Sequence, residues 1–375
     1  VSLHAHVVGW GKYVPQRVLT NGELSEMVDT SDEWIRTRTG IRERHIAMDG
    51  ETTADMAFHA AQRALEIARL HPNQLDLIIV ATVTPDHFFP SSASLVQDML
   101  GANHAAAFDL SAGCTGFVYG LSVASSMLSS GTYQTALVIG AETLSSIIDW
   151  SDRSTCVLFG DGAGAVVLQV GENEGGVLAT CLGSDGSGGD LLCLPAGGSR
   201  YPTSQRTLSE GLHYVRMNGR EVFRFAVKVM HEATIDVLKK AGQSLQEVKL
   251  LIPHQANQRI VDAAARALNL PDEKVFSNVE WYGNTSAASI PIALSEAAEA
   301  GSIRPGDLIV CVGFGAGLTW GATAVRWTRP QPFARPRWRR LLRRLYYTLA
   351  AVRSRIRRLL RRIAAIMTRD LNDGG

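Results

Sequence analysis

Apolar residues along this chain fall into two kinds of run. Short unbroken runs rich in Val, Ile and Ala occur at DLIIVATV (76–83), AAAFDL (105–110), TALVIGAE (135–142) and AGAVVLQV (163–170). Runs of this length without polar alternation predict strands buried on both faces. Between them, ADMAFHAAQRALEIARL and GFVYGLSVASSMLSSG place apolar residues at helical spacing. A second series follows: helix EVFRFAVKVMHEATIDVLKKAG, strand VKLLIP, helix NQRIVDAAARALN, strand KVFSNV, helix SAASIPIALSEAAEAG, then strands DLIVCVGFG and GATAVRW. The alternation predicts an α/β fold with a mixed sheet.

The second series echoes the first. IARLHPNQLDLIIV and KKAGQSLQEVKLLI both run from helix end through a linker into a strand, and FGDGAGAVVLQ and FGAGLTWGATAVRW both pass from a glycine-rich turn into a strand. The repeat is too long for a solenoid, so a duplicated α/β unit is expected. Its halves would be residues 1–172 and 173–329, and residues 330–375 form a separate extension.

Charge sets that extension apart. Residues 331–375 hold 13 Arg against Asp370 and Asp373, a net of +11, so the rest of the chain carries −10. Trp338, Leu342, Leu345, Leu349, Val352, Ile356, Leu359, Ile363 and Ile366 recur at steps of four and three. That spacing predicts a basic amphipathic helix of about 30 residues, about 45 Å long. Three roles stay open for it. It could lie on anionic membrane with Trp338, Tyr346 and Tyr347 near the headgroups, pair as a coiled coil or pack on the acidic body, or recruit an acidic protein partner. Nothing accompanies it that points to nucleic acid.

Composition narrows the rest. With 375 residues, 46% hydrophobic and 19% charged, the chain is in the range of globular proteins. VSLHAHVVGWGKYVP lacks a basic segment leading into an apolar one, and no uncharged apolar run is long enough to span a bilayer, so a cytoplasmic location is expected. Five scattered cysteines without a C-x-x-C pair argue against a disulfide framework and a zinc site.

Chemistry gathers at three corners where a predicted strand hands over to a helix, the usual place for ligands in open α/β sheets. Cys114, between Gly113 and Gly116, opens a helix whose positive end should favour thiolate. His254 follows Pro253 at the end of VKLLIP, and Asn284 follows Gly283 in GNTSAAS. Singly, each has a plain alternative: a buried thiol, a structural histidine, a helix N-cap. Together they form a nucleophile with two groups able to stabilise an enolate oxygen. Two glycine-rich stretches do not add a nucleotide site. GDGAGA (160–165) runs into a strand rather than a helix, and GSDGSGG (183–189), which lacks a phosphate-loop Lys, is expected as a mobile surface loop.

The stretches DTSDEWIRTRTGIRERHIA (29–47), FDLSAGCTGF (108–117), LFGDGAGAVVL (158–168), IPHQANQRI (252–260), GNTSAAS (283–289) and GFGAGLTWG (313–321) together resemble the β-ketoacyl-[acyl carrier protein] synthase III family of thiolase-like condensing enzymes, across residues 1–329. The resemblance implies a duplicated five-layer α-β-α-β-α fold, a homodimer, and no metal or redox cofactor. It makes Cys114 the acyl acceptor, with His254 and Asn284 its partners and an oxyanion hole at the backbone N–H groups of Cys114 and Ala316. Trp34, Arg38, Arg153 and Asn257 match positions that hold coenzyme A. Phe89 (from the neighbouring subunit), Leu144, Phe159, Met217 and Phe223 fall around the acyl chain, and Arg224, Arg259 and Arg266 where carrier protein docks.

The implied reaction starts fatty-acid synthesis. An acyl-CoA primer acylates Cys114, malonyl-[acyl carrier protein] loses CO2, and the enolate attacks to give 3-oxoacyl-[acyl carrier protein]. Ala316 stands where glycine is expected, which constrains φ. Related enzymes of polyketide, quinolone or long-chain ketone synthesis share the same trio. A thiolase would need a second catalytic cysteine near Cys311, and a non-enzymatic scaffold would leave the function to the tail.

Overall fold

The computed structural model describes residues 3–328, 346–350, 352–357 and 359–360. Its main strands are β1 (His4–Tyr13), β2 (Leu77–Ala81), β3 (Ala106–Leu110), β4 (Thr135–Glu142), β5 (Gly162–Gly171), β6 (Gly176–Ser184), β7 (Val248–Pro253), β8 (Leu308–Gly315) and β9 (Thr319–Arg326). The helices that matter here are α1 (Asp32–Thr39), α2 (Thr53–Ala68), α3 (Ser92–Leu100), α4 (Gly116–Ser129), α5 (Gly219–Lys240), α6 (Gln258–Ala267) and α7 (Ser289–Glu299).

Two sheets result. The first has the order β3-β2-β4-β5-β1 and the second β7-β8-β9-β6. In the first, β3 and β4 both run parallel to β2, and β5 and β1 follow antiparallel. In the second, β8 runs parallel to β7, and β9 and β6 follow antiparallel. The position equivalent to β3 is a single parallel bridge between Leu251 and Val275. KVFSNV, expected as a full strand, is reduced to that bridge, and its polar residues go elsewhere: Asn278 N–H donates to Gln255 Oε1 at 3.0 Å.

Continuous apolar strands bury both faces because each sheet is covered on both sides. In β2, Leu77 and Ile79 join one core while Ile78 and Val80 join another. The outer core holds α2 and α3; the inner one holds α4 and α7, which lie between the sheets; α5 and α6 cover the far side of the second sheet. The layering is the duplicated α-β-α-β-α arrangement.

Small residues set how close the layers come. An ideal Cβ on Gly140 in β4 would stand 2.1 Å from the carbonyl oxygen of Ala287, so the turn before α7 lies directly on the strand. The GDGAGA stretch runs into β5 as its pattern predicts. GSDGSGG lies at the surface, where it ends β6 and enters a 3-10 turn over Gly186–Leu191. Reciprocal bonds of 2.8 and 2.9 Å between Asp185 and Leu318 fix its start, because its amides find partners in the adjoining strand rather than in water.

The described part of the C-terminal extension is helical and lies on the first half. Tyr347 meets Phe58 edge-on at 5.8 Å and Tyr346 meets His71 at 4.4 Å. Ala350 and Ser354 are buried, and Arg353 and Arg357 donate to Asn103 Oδ1 at 3.2 and 3.1 Å. The apolar seam faces the other way: Leu349, Val352, Ile356 and Leu359 are 46–66% exposed. The tyrosines expected near lipid headgroups therefore pack on protein, because aromatic partners stand opposite them. Trp338, Leu342, Leu345, Ile363 and Ile366 lie outside the described residues.

Gly140→Ala tests the close approach of the layers. Overpacking of this kind costs about 1–3 kcal/mol, and the expected outcome is a lower urea midpoint with an unchanged denaturant slope.

Candidate active site

Cys114 sits in a 3-10 turn, Gly113–Thr115, between the end of β3 and the start of α4. Two glycines explain the turn. Gly113 has φ +56°, which favours glycine, and a Cβ there would stand 2.7 Å from the Ala316 nitrogen. Across the gap, a Cβ on Gly315 would stand 2.5 Å from the Cys114 nitrogen. The two backbones therefore meet with no side chain between them. Thr319 Oγ1 ties them by donating to Ala112 O at 2.9 Å. This sets the main chain at Cys114 directly against the main chain at Ala316. Ala316 is not among the residues of positive φ, so alanine fits without strain.

His254 continues β7 by donating its N–H to Val312 O at 2.8 Å, and its ring is fully buried. Nδ1 lies 2.6 Å from Ser289 Oγ, the first residue of α7. Ser289 Oγ also accepts the Gln255 N–H at 3.4 Å, which turns its own proton toward Nδ1, and we assign the imidazole proton to Nε2. Nε2 has no partner among the described residues. Burial pushes the imidazole down to about 3, so it stays neutral.

Asn284 Oδ1 accepts the Ser286 N–H at 2.8 Å. The plain cap reading thus accounts for the oxygen of this amide and leaves its NH2 for other work. The three corners meet through their neighbours. An ideal Cβ on Gly313 would lie 3.8 Å from both His254 Cβ and Thr115 Cα, and Cys114 and Ser286 line the same cavity.

A cavity of about 230 Å³ opens beside the thiol, lined by Cys114, Ser286, Ala316, Leu144, Phe159 and Leu192 among others. Phe89, Met217 and Phe223 do not line it. Phe89 is 87% exposed; Met217 pairs with Leu192, one strand away; Phe223 lies under the Arg259 guanidinium at 5.9 Å. On α1 and its surroundings, the Trp34 ring is flanked by the guanidinium groups of Arg38 at 4.9 Å and Arg153 at 5.2 Å, and Asn257 Nδ2 donates to Arg38 O at 3.3 Å. These four residues, distant in sequence, form one cluster. Arg224, Arg259 and Arg266 are exposed on the neighbouring helices α5 and α6.

The thiol departs from the sequence-based expectation. Burial pushes it up to about 12, outweighing the lowering by the Ser286 hydroxyl, and the negative charge of Glu142 raises it further. Glu142 is the residue that sequence reasoning missed. It ends the otherwise apolar β4, is fully buried, and is pushed up to about 7 by that burial. A carboxylate closing an all-apolar strand was the available signal. Cys311 is a core residue whose thiol burial pushes up to about 12, with none of this polar company.

A cysteine at a tight turn, with backbone donors, a neutral imidazole and an amide at the junction of two similar α/β halves, defines a thiolase-like condensing acyltransferase. Comparison with known proteins gives the family. The descriptions 3-oxoacyl-[acyl-carrier-protein] synthase III and its C-terminal part match residues 108–186 and 238–327. The chain is similar to β-ketoacyl-[acyl-carrier-protein] synthase III of Caldanaerobacter subterraneus subsp. tengcongensis, 56% identical over 88% of this chain and 99% of that one. Among solved structures it is similar to the synthase III of Aquifex aeolicus VF5, with TM-score 0.80 and 52% identity over 86% of this chain and 100% of that one. It is also similar to the priming β-ketosynthase of the R1128 polyketide pathway, with TM-score 0.81 and 36% identity over 88% of this chain and 98% of that one. The chain belongs to the β-ketoacyl-[acyl carrier protein] synthase III family.

Gly315→Ala tests the backbone donors. The new methyl would crowd the Cys114 N–H, and loss of one such donor costs about 10² to 10³ in rate. The expected outcome is a fall of that size in acylation of Cys114 by the folded enzyme, measured by rapid-quench mass spectrometry, together with a lower melting temperature, because the methyl would stand 2.5 Å from backbone.

Proposed function

We propose that the chain starts fatty-acid synthesis by condensing an acyl-CoA primer with malonyl-[acyl carrier protein]. The observation that carries this reading is that Cys114 lines an apolar cavity whose wall residues Phe159 and Ser286 adjoin Asn284, while Gly313 stands between His254 and the turn of Cys114. Cys114 attacks the primer thioester, and the N–H groups of Cys114 and Ala316 hold the tetrahedral oxyanion. Nε2–H of His254 and the amide of Asn284 hold the malonyl thioester oxygen as CO2 leaves. The enolate then attacks the acyl-cysteine and releases 3-oxoacyl-[acyl carrier protein].

Trp34, Arg38, Arg153 and Asn257 receive the adenine and phosphate end of CoA; the paired guanidinium groups supply the charge, and the indole face supplies a stacking surface. Arg224, Arg259 and Arg266 receive the acidic carrier protein. The cavity of about 230 Å³ favours a short primer. A second copy completes the enzyme: β3 is the outer strand of its sheet, and Phe88 and Phe89 stand exposed as apolar side chains for a partner to take up. A starter role in polyketide synthesis uses the same site and differs in the carrier protein that is served.

Incubation with acetyl-CoA should add one acetyl group to Cys114, seen by intact mass, and Cys114→Ala should take none. Asn284→Ala should still acylate but condense about 10² to 10³ times more slowly. Absence of the adduct in the unmodified enzyme overturns the reading.

The basic extension gives a second reading, a peripheral contact with anionic membrane. Among the described residues, no helix is long and apolar enough to cross a bilayer. The seam of Leu349, Val352, Ile356 and Leu359 faces solvent with exposed Arg353, Arg355 and Arg357 on the same helix, which suits the surface of an anionic bilayer at the inner face. The full chain should float with vesicles containing anionic phospholipid and not with zwitterionic ones, and Leu349→Glu with Ile356→Glu should abolish flotation. Flotation unchanged by that pair, or a doubled solution mass that the pair reverses, rejects the membrane in favour of protein partners.

A further inference from the structure

Arg44 is fully buried, and among the described residues no carboxylate pairs with it. A guanidinium without a counter-charge is costly to keep out of water, so its hydrogen bonds show what it is there to hold. Its Nη1 donates to Leu19 O at 3.2 Å and to Asn21 Oδ1 at 2.8 Å, and its Nη2 donates to Val157 O at 2.8 Å. Two branches lead outward from these bonds.

The first branch runs through Asn21, whose buried amide has every group engaged. Its oxygen faces the guanidinium, while Nδ2 donates to Asp32 Oδ1 at 2.9 Å and to Ile41 O at 2.8 Å. Asp32 opens α1 and Ile41 lies just beyond its end, so one amide holds both ends of the helix that carries Trp34 and Arg38. The Arg44 bond fixes which way that amide points.

The second branch runs through Val157, in the segment that also carries Arg153 and Phe159. Arg153 flanks the Trp34 ring from the side opposite α1's own Arg38, and Phe159 lines the cavity beside Cys114. One residue beyond Val157, Leu158 O accepts the Asn284 N–H at 2.8 Å, and the Gly160 N–H donates to Asn284 O at 3.0 Å. Phe159 and Asn284 are thus bridged as parallel neighbours. The stem of Arg44 fills the space beside that bridge: an ideal Cβ on Gly160 would stand 3.0 Å from Arg44 Cβ, and one on Gly283 would stand 3.4 Å from it.

We infer that Arg44 is a positioning residue that holds the coenzyme A cluster and the Asn284 amide in one fixed relation. A planar guanidinium presents its donors in a rigid fork, so α1 on one branch and the Val157–Asn284 bridge on the other cannot shift independently. Cys114 lies on neither branch, because its turn is fastened by Thr319 Oγ1 to Ala112 O. No bond is made or broken at Arg44. The inference rests on Trp34, Arg38, Arg153 and Asn257 receiving coenzyme A and on Asn284 holding the malonyl oxygen. A residue needed only for stability would lower the melting temperature and leave the constants of the folded enzyme where they were.

The test follows the two half-reactions separately. Single-turnover acylation by acetyl-CoA, read by intact mass, gives a half-saturating concentration and a limiting rate. Condensation is then started from acetylated enzyme with saturating malonyl-[acyl carrier protein], and melting temperatures are recorded for each variant. Arg44→Lys keeps the charge and gives up the fork. It should raise the half-saturating acetyl-CoA about tenfold, as loss of a hydrogen-bonded support does, and leave the limiting acylation rate unchanged. It should also slow condensation about 10²-fold, the effect of a small misplacement at a reacting centre. Asn21→Ala cuts only the first branch, so it should raise the half-saturating concentration and leave condensation unchanged.

A folded Arg44→Lys enzyme that moves only one of the two constants, or neither, overturns the inference, as does an Asn21→Ala enzyme that slows condensation. If Arg44→Lys does not fold, Asn21→Ala decides: a raised half-saturating concentration with normal condensation supports the inference, and an unchanged one overturns it. Two outcomes strike the underlying reading instead. Absence of any adduct in the unmodified enzyme removes Cys114 as acyl acceptor, and Arg153→Ala with an unchanged half-saturating concentration removes the cluster as the coenzyme A site.

Discussion

The contact on which this structure depends is made by backbone. The turn that carries Cys114 belongs to one half of the molecule and the turn that carries Ala316 to the other, and a methyl group on Gly113 or Gly315 would fall within 2.7 Å of the opposite main chain. Nothing bulkier than hydrogen fits. Because the halves meet this closely, main chain from distant parts of the sequence lies side by side at the thiol. Thr319 and Ala112 fasten the junction, and β4 with the turn before α7 repeats the same close approach at Gly140 and Ala287. Rigid layers bring these groups together without a mobile loop, so little reorganisation is needed at the moment of reaction.

Closeness has an electrostatic consequence. A site assembled from packed layers is dry, and dryness acts on each group according to its charge. It holds His254 neutral and makes it a donor. It raises the Cys114 thiol against the pull of the helix that follows, and it lifts Glu142 into the neutral range. The hydroxyls of Thr82, Thr84, Ser286 and Ser289 supply what water would otherwise provide. Two of the three groups on which the trio leans, Ser286 and Ser289, come from the turn and first residue of α7. A single segment therefore orients the amide, the imidazole and the thiol's neighbour.

Outside that centre, positive charge gathers at the surface: Arg38 and Arg153 flank Trp34, and Arg224, Arg259 and Arg266 are exposed on α5 and α6. The C-terminal extension continues the theme on another face. It is fastened to the body by Tyr346, Tyr347, Ala350 and Ser354, which leaves its apolar seam free of the body. The family match ends at residue 327, so this surface is an addition to the enzyme.

Much of the architecture was legible in the sequence because strands buried on both faces leave unbroken apolar runs and amphipathic helices leave their period. The duplication, the glycine-flanked thiol and the strand-to-helix corner of His254 could be read the same way, whereas Asn284 follows the short helix Val279–Tyr282 rather than a strand. KVFSNV was over-read, since a short apolar run does not say whether a neighbouring strand will accept its full length. GSDGSGG is at the surface as read, and what its pattern did not show is that Gly188 packs against Leu318. The spacing of the extension left open which way its apolar residues face, and Leu349, Val352, Ile356 and Leu359 face away from the body. Sequence alone thus determined which groups exist and on which element each sits. Only tertiary structure decided which of them meet, that Glu142 and Ser286 stand behind the thiol, and which way the proton affinities move. Those properties depend on distance and on exclusion of water, and neither is a property of local sequence.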